Sequence, residues 1–376
     1  MKKPSTRWGR VRRIVARLAA LGLLLLVAMG LIAYARSTNA CVDGDHPSPA
    51  SGGMVAIIYC EYGSPEVLRL DTLEKPVPSD SQVLVRVRAV AVNPLDWHYM
   101  RGEPSFARSS MGLRKPVVTR LGVDFSGTVE AVGRAVTRFE PGDEVFGART
   151  GAFAQWVTVR ERAVVSKPAN ITHEQAAAVP VAALTALQGL RDQAGVRAGQ
   201  KVLINGASGG VGTFAVQIAK WLGAEVTGVC STRNVELVRS IGADHVVDYT
   251  REDFTKGSEQ YDVIIDNVGN HGLSDLRRVL TPNGTYVMIG GPKGRWLDPL
   301  PRVFALVVTS RFVDQKMRFF ISQVNLEDLT ILRDLMESGA ITPVIDRRYG
   351  SLSELPKAIE YLETGRARGK VVVVVE

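Results

Sequence analysis

Between Lys201 and Gly223 the chain reads KVLIN, then GASGGVG, then TFAVQIAKWLG: an apolar run, a glycine-rich turn and an amphipathic stretch in immediate succession. Glycines at 206, 209 and 212 permit a tight turn and a close approach of backbone to a ligand. The stretch that follows is expected to be a helix, and the unpaired N–H groups of its first turn suit a pyrophosphate. A glycine-rich stretch alone is weak evidence; its place between a strand and a helix gives it weight.

The same alternation recurs downstream. AEVTGVC, a helical NVELVRSIG, ADHVVDY, YDVIIDNVG and TYVMIGG follow in order, and continuous apolar runs of this kind are buried in parallel sheets. Residues 184–315 are therefore expected to form a doubly wound α/β domain. Residues 54–183 read differently, with short β-branched runs (VAIIYC, VLVRVRAVAV, FSGTVEAVG, FAQWVTV) separated by glycine turns such as Pro141-Gly142-Asp143. They predict a mostly antiparallel, barrel-like domain. Residues from about 316 to 376 end in GKVVVVVE, which is expected to return to that barrel and leave a cleft between two domains.

The glycine-rich loop assigns Gly206, Ser208, Gly209, Gly210, Val211 and Gly212 to a dinucleotide. At the end of the second strand of such a unit an acidic residue would bind a ribose 2′-hydroxyl. This chain has Ser231-Thr232-Arg233 there and no carboxylate, so two hydroxyls and a guanidinium favour a 2′-phosphate, and NADP(H) over NAD.

The net charge of +8 suggests a nucleic-acid partner until its location is read. Residues 1–36 hold eight basic side chains and no acidic one, and the rest of the chain balances 38 against 38. No basic stripe interleaved with aromatics marks that remainder, so no nucleic-acid role is expected. Within the basic segment, Leu18 to Ala35 carries no charge. As a helix these 18 residues span ~27 Å, enough to cross a bilayer when the flanking arginines snorkel. The reading is a basic cytoplasmic segment (1–17), a single-pass transmembrane helix (18–35) and a linker (36–53), with the body outside the cytoplasm. The alternative is a cleaved signal peptide, with Ala33-Tyr34-Ala35 as the processing site. Three scattered cysteines (Cys41, Cys60, Cys230) and five histidines without metal-ligand spacing supply neither a disulfide framework nor a metal site.

From Met54 to Glu376 the chain resembles the medium-chain dehydrogenase/reductase superfamily, in its zinc-free quinone oxidoreductase (zeta-crystallin-like) branch. The stretches that carry the resemblance are Asn93-Pro94-Leu95-Asp96, GVDFSG from Gly122, PGDEVFG from Pro141, NGASGGVG, IGADHVVDY and GRARGKVVV. It implies a GroES-like catalytic domain joined to a Rossmann domain, with hydride passing from NADPH to a small quinone or α,β-unsaturated carbonyl, in a chain that is commonly a homodimer. Zinc-dependent members carry a cysteine at the position of Asn93 and Gly-His-Glu where this chain has Gly122-Val123-Asp124, so a catalytic zinc is not expected.

By the same resemblance Asn93 is the first candidate donor to the developing oxyanion. Asp96, His98, Tyr99 and Arg101 follow in the same loop, Asp96 and Tyr99 as catalytic candidates; the plainer alternative is a local Asp96–Arg101 ion pair. On the cofactor side the resemblance adds Thr185, Tyr249, Asn267, Val268, Gly290, Arg366, Gly369 and Lys370. Phe304 to Phe320, with Arg311 and Arg318 interspersed, is expected to pack, the alternatives being the substrate mouth or a subunit interface. The competing function is a membrane-tethered NADPH-binding module without turnover.

Overall fold

The structure, a computed structural model, describes residue 28 and residues 53–291 and 298–376. Three sheets divide these residues. In the first, β1 (Gly53–Ile58) pairs with β2 (Arg69–Glu74) and touches the rest of the barrel through isolated bridges, Ala56 to Ala154 and Ile58 to Arg120. The larger barrel sheet is built on β3 (Gln82–Val92), whose alternating valines fill one face and whose arginines face solvent. Beside it run β4 (Asp124–Val132), β5 (Glu144–Ala148), β6 (Trp156–Arg160) and β7 (Val164–Ser166), all antiparallel to their neighbours.

The chain then enters six parallel strands: β8 (Lys201–Asn205), β9 (Glu225–Cys230), β10 (His245–Asp248), β11 (Tyr261–Asp266), β12 (Leu280–Met288) and β13 (Lys316–Phe319). Their order, β10-β9-β8-β11-β12-β13, reverses direction between β8 and β11. Ligands of such sheets bind outside the carboxyl ends of the strands at that reversal. Finally β14 (Ile345–Tyr349) and β15 (Lys370–Val374) return to the barrel, where β15 pairs with β3.

The two-domain expectation holds, with a GroES-like barrel and a Rossmann sheet, but the boundary moves. Lys316–Phe319 pairs with β12, so the Rossmann sheet extends past residue 315. As an edge strand with a single buried residue, Met317, it lacks the continuous apolar run that marks its neighbours. The helix Leu326–Glu337 also packs into the core beneath the Rossmann sheet, through Leu329, Leu332 and Leu335.

The packing expected of Phe304 to Phe320 holds for Leu306 and Met317, whereas Phe304 and Phe312 are 71% and 82% exposed. Among the described residues no helix is long and apolar enough to cross a membrane. The span expected at 18–35 and its linker lie outside the described residues apart from residues 28 and 53. Cys230 is buried and free.

Candidate active site

The glycines of the loop have distinct steric reasons. Gly206 has φ +78°, and a Cβ there would meet Val268 at 2.8 Å. A Cβ on Gly212 would lie 2.1 Å from the Gly206 carbonyl oxygen, so the first turn of the helix Gly210–Trp221 lies directly against the loop. Gly209 caps that helix, and the N–H groups of its first turn are left for a ligand. Opposite them, across the strand reversal, Asp266 is fully buried and accepts from Tyr286 Oη (2.7 Å), Asn205 Nδ2 (2.9 Å), Val268 N (3.1 Å) and Gly269 N (2.8 Å). These bonds fix the turn that carries Asn267 and Val268. Asn267 donates to the Asn205 carbonyl, and its own Oδ1 is buried with no hydrogen-bond partner. Gly290 lies against this turn so closely that a Cβ would be 2.0 Å from the Asn267 carbonyl oxygen.

The adenosine end is more mixed. Asn234, which the sequence reading passed over, donates from Nδ2 to Ser208 Oγ (2.9 Å) and Ser231 Oγ (3.2 Å), tying the loop to the second strand. Thr232 does not face a phosphate: its hydroxyl donates to Asp248 at 2.6 Å. Asp248 lies at the end of the neighbouring strand, beside Cys230 in register, and also accepts from Thr250. It is buried and occupied, so the absence of a free carboxylate at this strand end stands. Arg233 is exposed and hooks onto the carbonyl of Arg366 (2.6 Å), and Tyr249 is 61% exposed beside the same strand ends. Of the three side chains expected at a 2′-phosphate, Thr232 is taken by Asp248, and Ser231 and the exposed Arg233 remain to meet one.

The catalytic candidates lie where the barrel meets this loop. Asn93 precedes the helix Pro94–Arg101, whose proline at the first position needs no N–H partner. Asp96 turns back and accepts from Asn93 N (2.7 Å) and from Gly122 N (3.2 Å). Asn93 Nδ2 donates to Asp124 (2.9 Å) and to the Ala91 carbonyl (3.4 Å), while its Oδ1 accepts from Lys370 Nζ (2.6 Å). Both amide hydrogens are thereby committed within the fold, so Asn93 does not stand as a free donor to an acceptor. Asp124 accepts in addition from Lys370 (3.3 Å) and from Val181 N (3.0 Å) at the start of the helix Pro180–Gln188.

Lys370 is the residue whose role changes most. Its stem passes the phosphate loop, with Cδ 3.2 Å from where a Cβ on Gly210 would stand, but its buried ammonium ends on Asn93 and Asp124. One residue earlier, Gly369 N donates to the Ser208 carbonyl (2.8 Å), so two consecutive residues join the loop to the barrel cluster. Thr185, on the other side, donates to the Val181 carbonyl (2.7 Å) and bonds Ser322 (2.9 Å). The Asp96–Arg101 ion pair is not formed, because Arg101 pairs with Glu363, 262 residues away. Tyr99 packs half-buried on the barrel core, and His98 Nδ1 bonds the Glu103 carbonyl (2.8 Å).

Burial pushes the Asp96 carboxyl up to about 7, helped by nearby Asp124 and opposed by the N–H donors and Lys370. Burial likewise raises Asp124, against the pull of Lys370. The folded protein therefore prefers Asp96 protonated, and since the unfolded carboxyl titrates near ~3.9, this contribution is full below pH ~4 and is lost as pH rises through 7. Relative to Asp96→Asn, the native protein is expected to lose on the order of 3 kcal/mol of stability between pH 4 and 7.5. Denaturant midpoints of the two proteins across that range check this; a gap that does not change with pH contradicts it.

A zinc ion does not fit the cluster. Its oxygen donors already hold an ammonium, Val123 offers no ligand atom, and among the described residues no three His, Cys, Asp or Glu side chains converge on a metal position.

Known proteins resemble the chain in sequence and in fold. Residues 79–169 match the alcohol dehydrogenase GroES-like domain, and residues 241–373 match the zinc-binding dehydrogenase family. The 2-methylene-furan-3-one reductase of Solanum lycopersicum is 35% identical over 85% of this chain and 79% of its own. The quinone oxidoreductase of Coxiella burnetii superposes with a TM-score of 0.75 at 32% identity, covering 86% of this chain and 100% of that one. The Escherichia coli quinone oxidoreductase complexed with NADPH gives 0.72 at 25% identity, covering 85% and 99%. The chain belongs to the medium-chain dehydrogenase/reductase superfamily, in its quinone oxidoreductase branch, and is an NADP(H)-dependent oxidoreductase.

Proposed function

We propose that the protein reduces a conjugated acceptor, a quinone or an α,β-unsaturated carbonyl, at the junction of the phosphate loop and the Asn93–Asp124–Lys370 cluster. One observation carries the reading: Gly369 is bonded to the loop while Lys370 reaches a buried polar cluster that offers no metal ligand set. Bound NADPH supplies the hydride. The loop amides and the helix N-terminus hold the pyrophosphate, and the turn at Asn267 and Val268, fixed by Asp266, flanks the strand reversal.

An acceptor reduced without a Lewis acid must spread its developing charge itself, which conjugation does. The names of the tomato and bacterial relatives lie in the same two classes. Lys370 acts as a positioning residue that fixes the Asn93 amide and compensates Asp124. Asp96, the carboxyl of the loop that carries Asn93, is buried and holds the Asn93 and Gly122 amides, and it is the acid from which a proton would follow the hydride.

Ser231 and Arg233 recognise the 2′-phosphate in this reading. Charge-assisted hydrogen bonds are worth roughly 1.5–3 kcal/mol, so Arg233→Ala is expected to weaken NADPH about ten-fold or more and leave NADH within about two-fold. Paired cofactor titrations check it, and an equal loss for both cofactors contradicts it.

We infer a membrane anchor from the sequence of residues 1–36 alone; its charge asymmetry places the body outside the cytoplasm, where soluble cytosolic NADPH would not be its sole donor. A reporter fused after Glu376 is expected to be active outside the cytoplasm; a cytoplasmic reporter contradicts that placement.

A further inference from the structure

Two arginines whose backbones lie near Asp124 have no acceptor among the described residues. The segment Arg149 to Phe153 runs along Leu121 to Val123 through Arg149 N to the Val123 carbonyl (2.7 Å), Gly151 N to the Gly122 carbonyl (2.9 Å) and Phe153 N to the Leu121 carbonyl (3.1 Å). Arg120 immediately precedes that stretch, and its backbone bridges to Ile58. Its guanidinium lies over Gly151, with Nε and Cζ 3.6 and 3.7 Å from where a Cβ would stand. Arg120 and Arg149 thus flank Gly122-Val123-Asp124, the segment that supplies Asp124 to the cluster.

Among the described residues neither guanidinium forms an ion pair or a side-chain hydrogen bond, although almost every other half-buried cation here does. Burial, and then Arg149, pushes the Arg120 guanidinium below its ordinary value. Nothing nearby in the chain relieves this, for residues 104–122 contain four basic side chains and no acidic one. A half-buried guanidinium without an acceptor, next to a second one, leaves a positive potential that a planar anion would satisfy bidentately.

We infer that Arg120 and Arg149 form an anion-binding station for a carboxylate on the acceptor, making acidic conjugated acceptors the preferred substrates of this site. The inference rests on the reductase reading and narrows its substrate class. Arg120 is only four residues before Asp124, at most ~13 Å along the extended chain, so the acid and the reducible bond belong to one small molecule.

The test uses the full chain loaded with NADP⁺ and a matched pair of ligands, an oxo-octenoic acid carrying an enone and its methyl ester. By calorimetry the acid is expected to bind at least about ten-fold tighter than the ester. That preference is expected to fall within about two-fold in Arg120→Met/Arg149→Met and to survive in part in Arg120→Lys. Binding of the ester reports that each variant is folded. The exposed Arg149→Met alone serves if the double variant is not folded. Equal binding of acid and ester by the unaltered protein, or an acid preference untouched by either variant, overturns the inference. Acceptor-dependent NADPH oxidation is measured alongside: turnover of neutral quinones or the ester without acid preference sinks this inference and leaves the reductase reading standing. No oxidation with any acceptor sinks that reading, and the binding ratio still judges the arginines.

Discussion

Lys370→Met is expected to cost the protein ~3–5 kcal/mol, the usual effect of removing one partner of a buried ion pair, and to lower its melting temperature by roughly 10 °C. The magnitude follows from what is left behind. Asp124 is fully buried, and without the ammonium its remaining donors are Asn93 Nδ2 and Val181 N. Asn93 Oδ1 loses its partner as well. Lys370→Met combined with Asp124→Asn removes the uncompensated charge and is expected to recover most of the loss. Lys370→Arg is expected to retain the charge but fit the space poorly, giving an intermediate value. Turnover in Lys370→Met is expected to fall much more than NADPH affinity, because the side chain ends on the barrel cluster and not at the pyrophosphate. Thermal melts and cofactor titrations of the three variants check the set; a Lys370→Met protein as stable as the parent contradicts the pairing.

Gly212→Ala is expected to weaken NADPH binding about 100-fold, since misplacing a positioning element by about 1 Å carries a penalty of that size. The added Cβ would lie 2.1 Å from the Gly206 carbonyl oxygen and 2.8 Å from Ala207 Cα, contacts that backbone atoms cannot yield without moving the loop. Gly206 cannot absorb the shift easily, because its φ of +78° is already a conformation reserved for glycine and Val268 crowds its other side. The helix therefore backs away and withdraws its first N–H groups from the phosphates. Fluorescence titration with NADPH measures the loss, and circular dichroism shows that the barrel and sheet remain. A variant that binds NADPH within about three-fold of the parent would contradict the assignment of this loop.

What could be read from the chain followed the range of the interaction. The strand, glycine turn and helix around 201–223 are local in sequence, and so is the run of apolar strands, hence the Rossmann sheet was legible almost residue by residue. Lys316–Phe319 was not, because an edge strand buries one residue and resembles a loop. The candidate site was legible in its members and not in its bonds. Asn93, Asp96 and Lys370 all stand in recognisable motifs, yet the Asn93–Lys370 bond joins residues 277 apart, and no periodicity records it. Arg101 had an acid five residues before it and took Glu363 instead. Thr232 looked free for a phosphate because its true partner, Asp248, arrives on the next strand, brought into register with Cys230. Asn234 carried no motif at all, and only folding shows it holding Ser208 and Ser231 together.

NADPH oxidation by the protein, followed with and without simple quinones and enones and beside the same assay with NADH, tests the reductase reading most directly. Oxidation is expected to depend on the acceptor and to be much slower with NADH. Tight NADPH binding with no turnover on any acceptor would contradict it and would make the protein a cofactor-binding module.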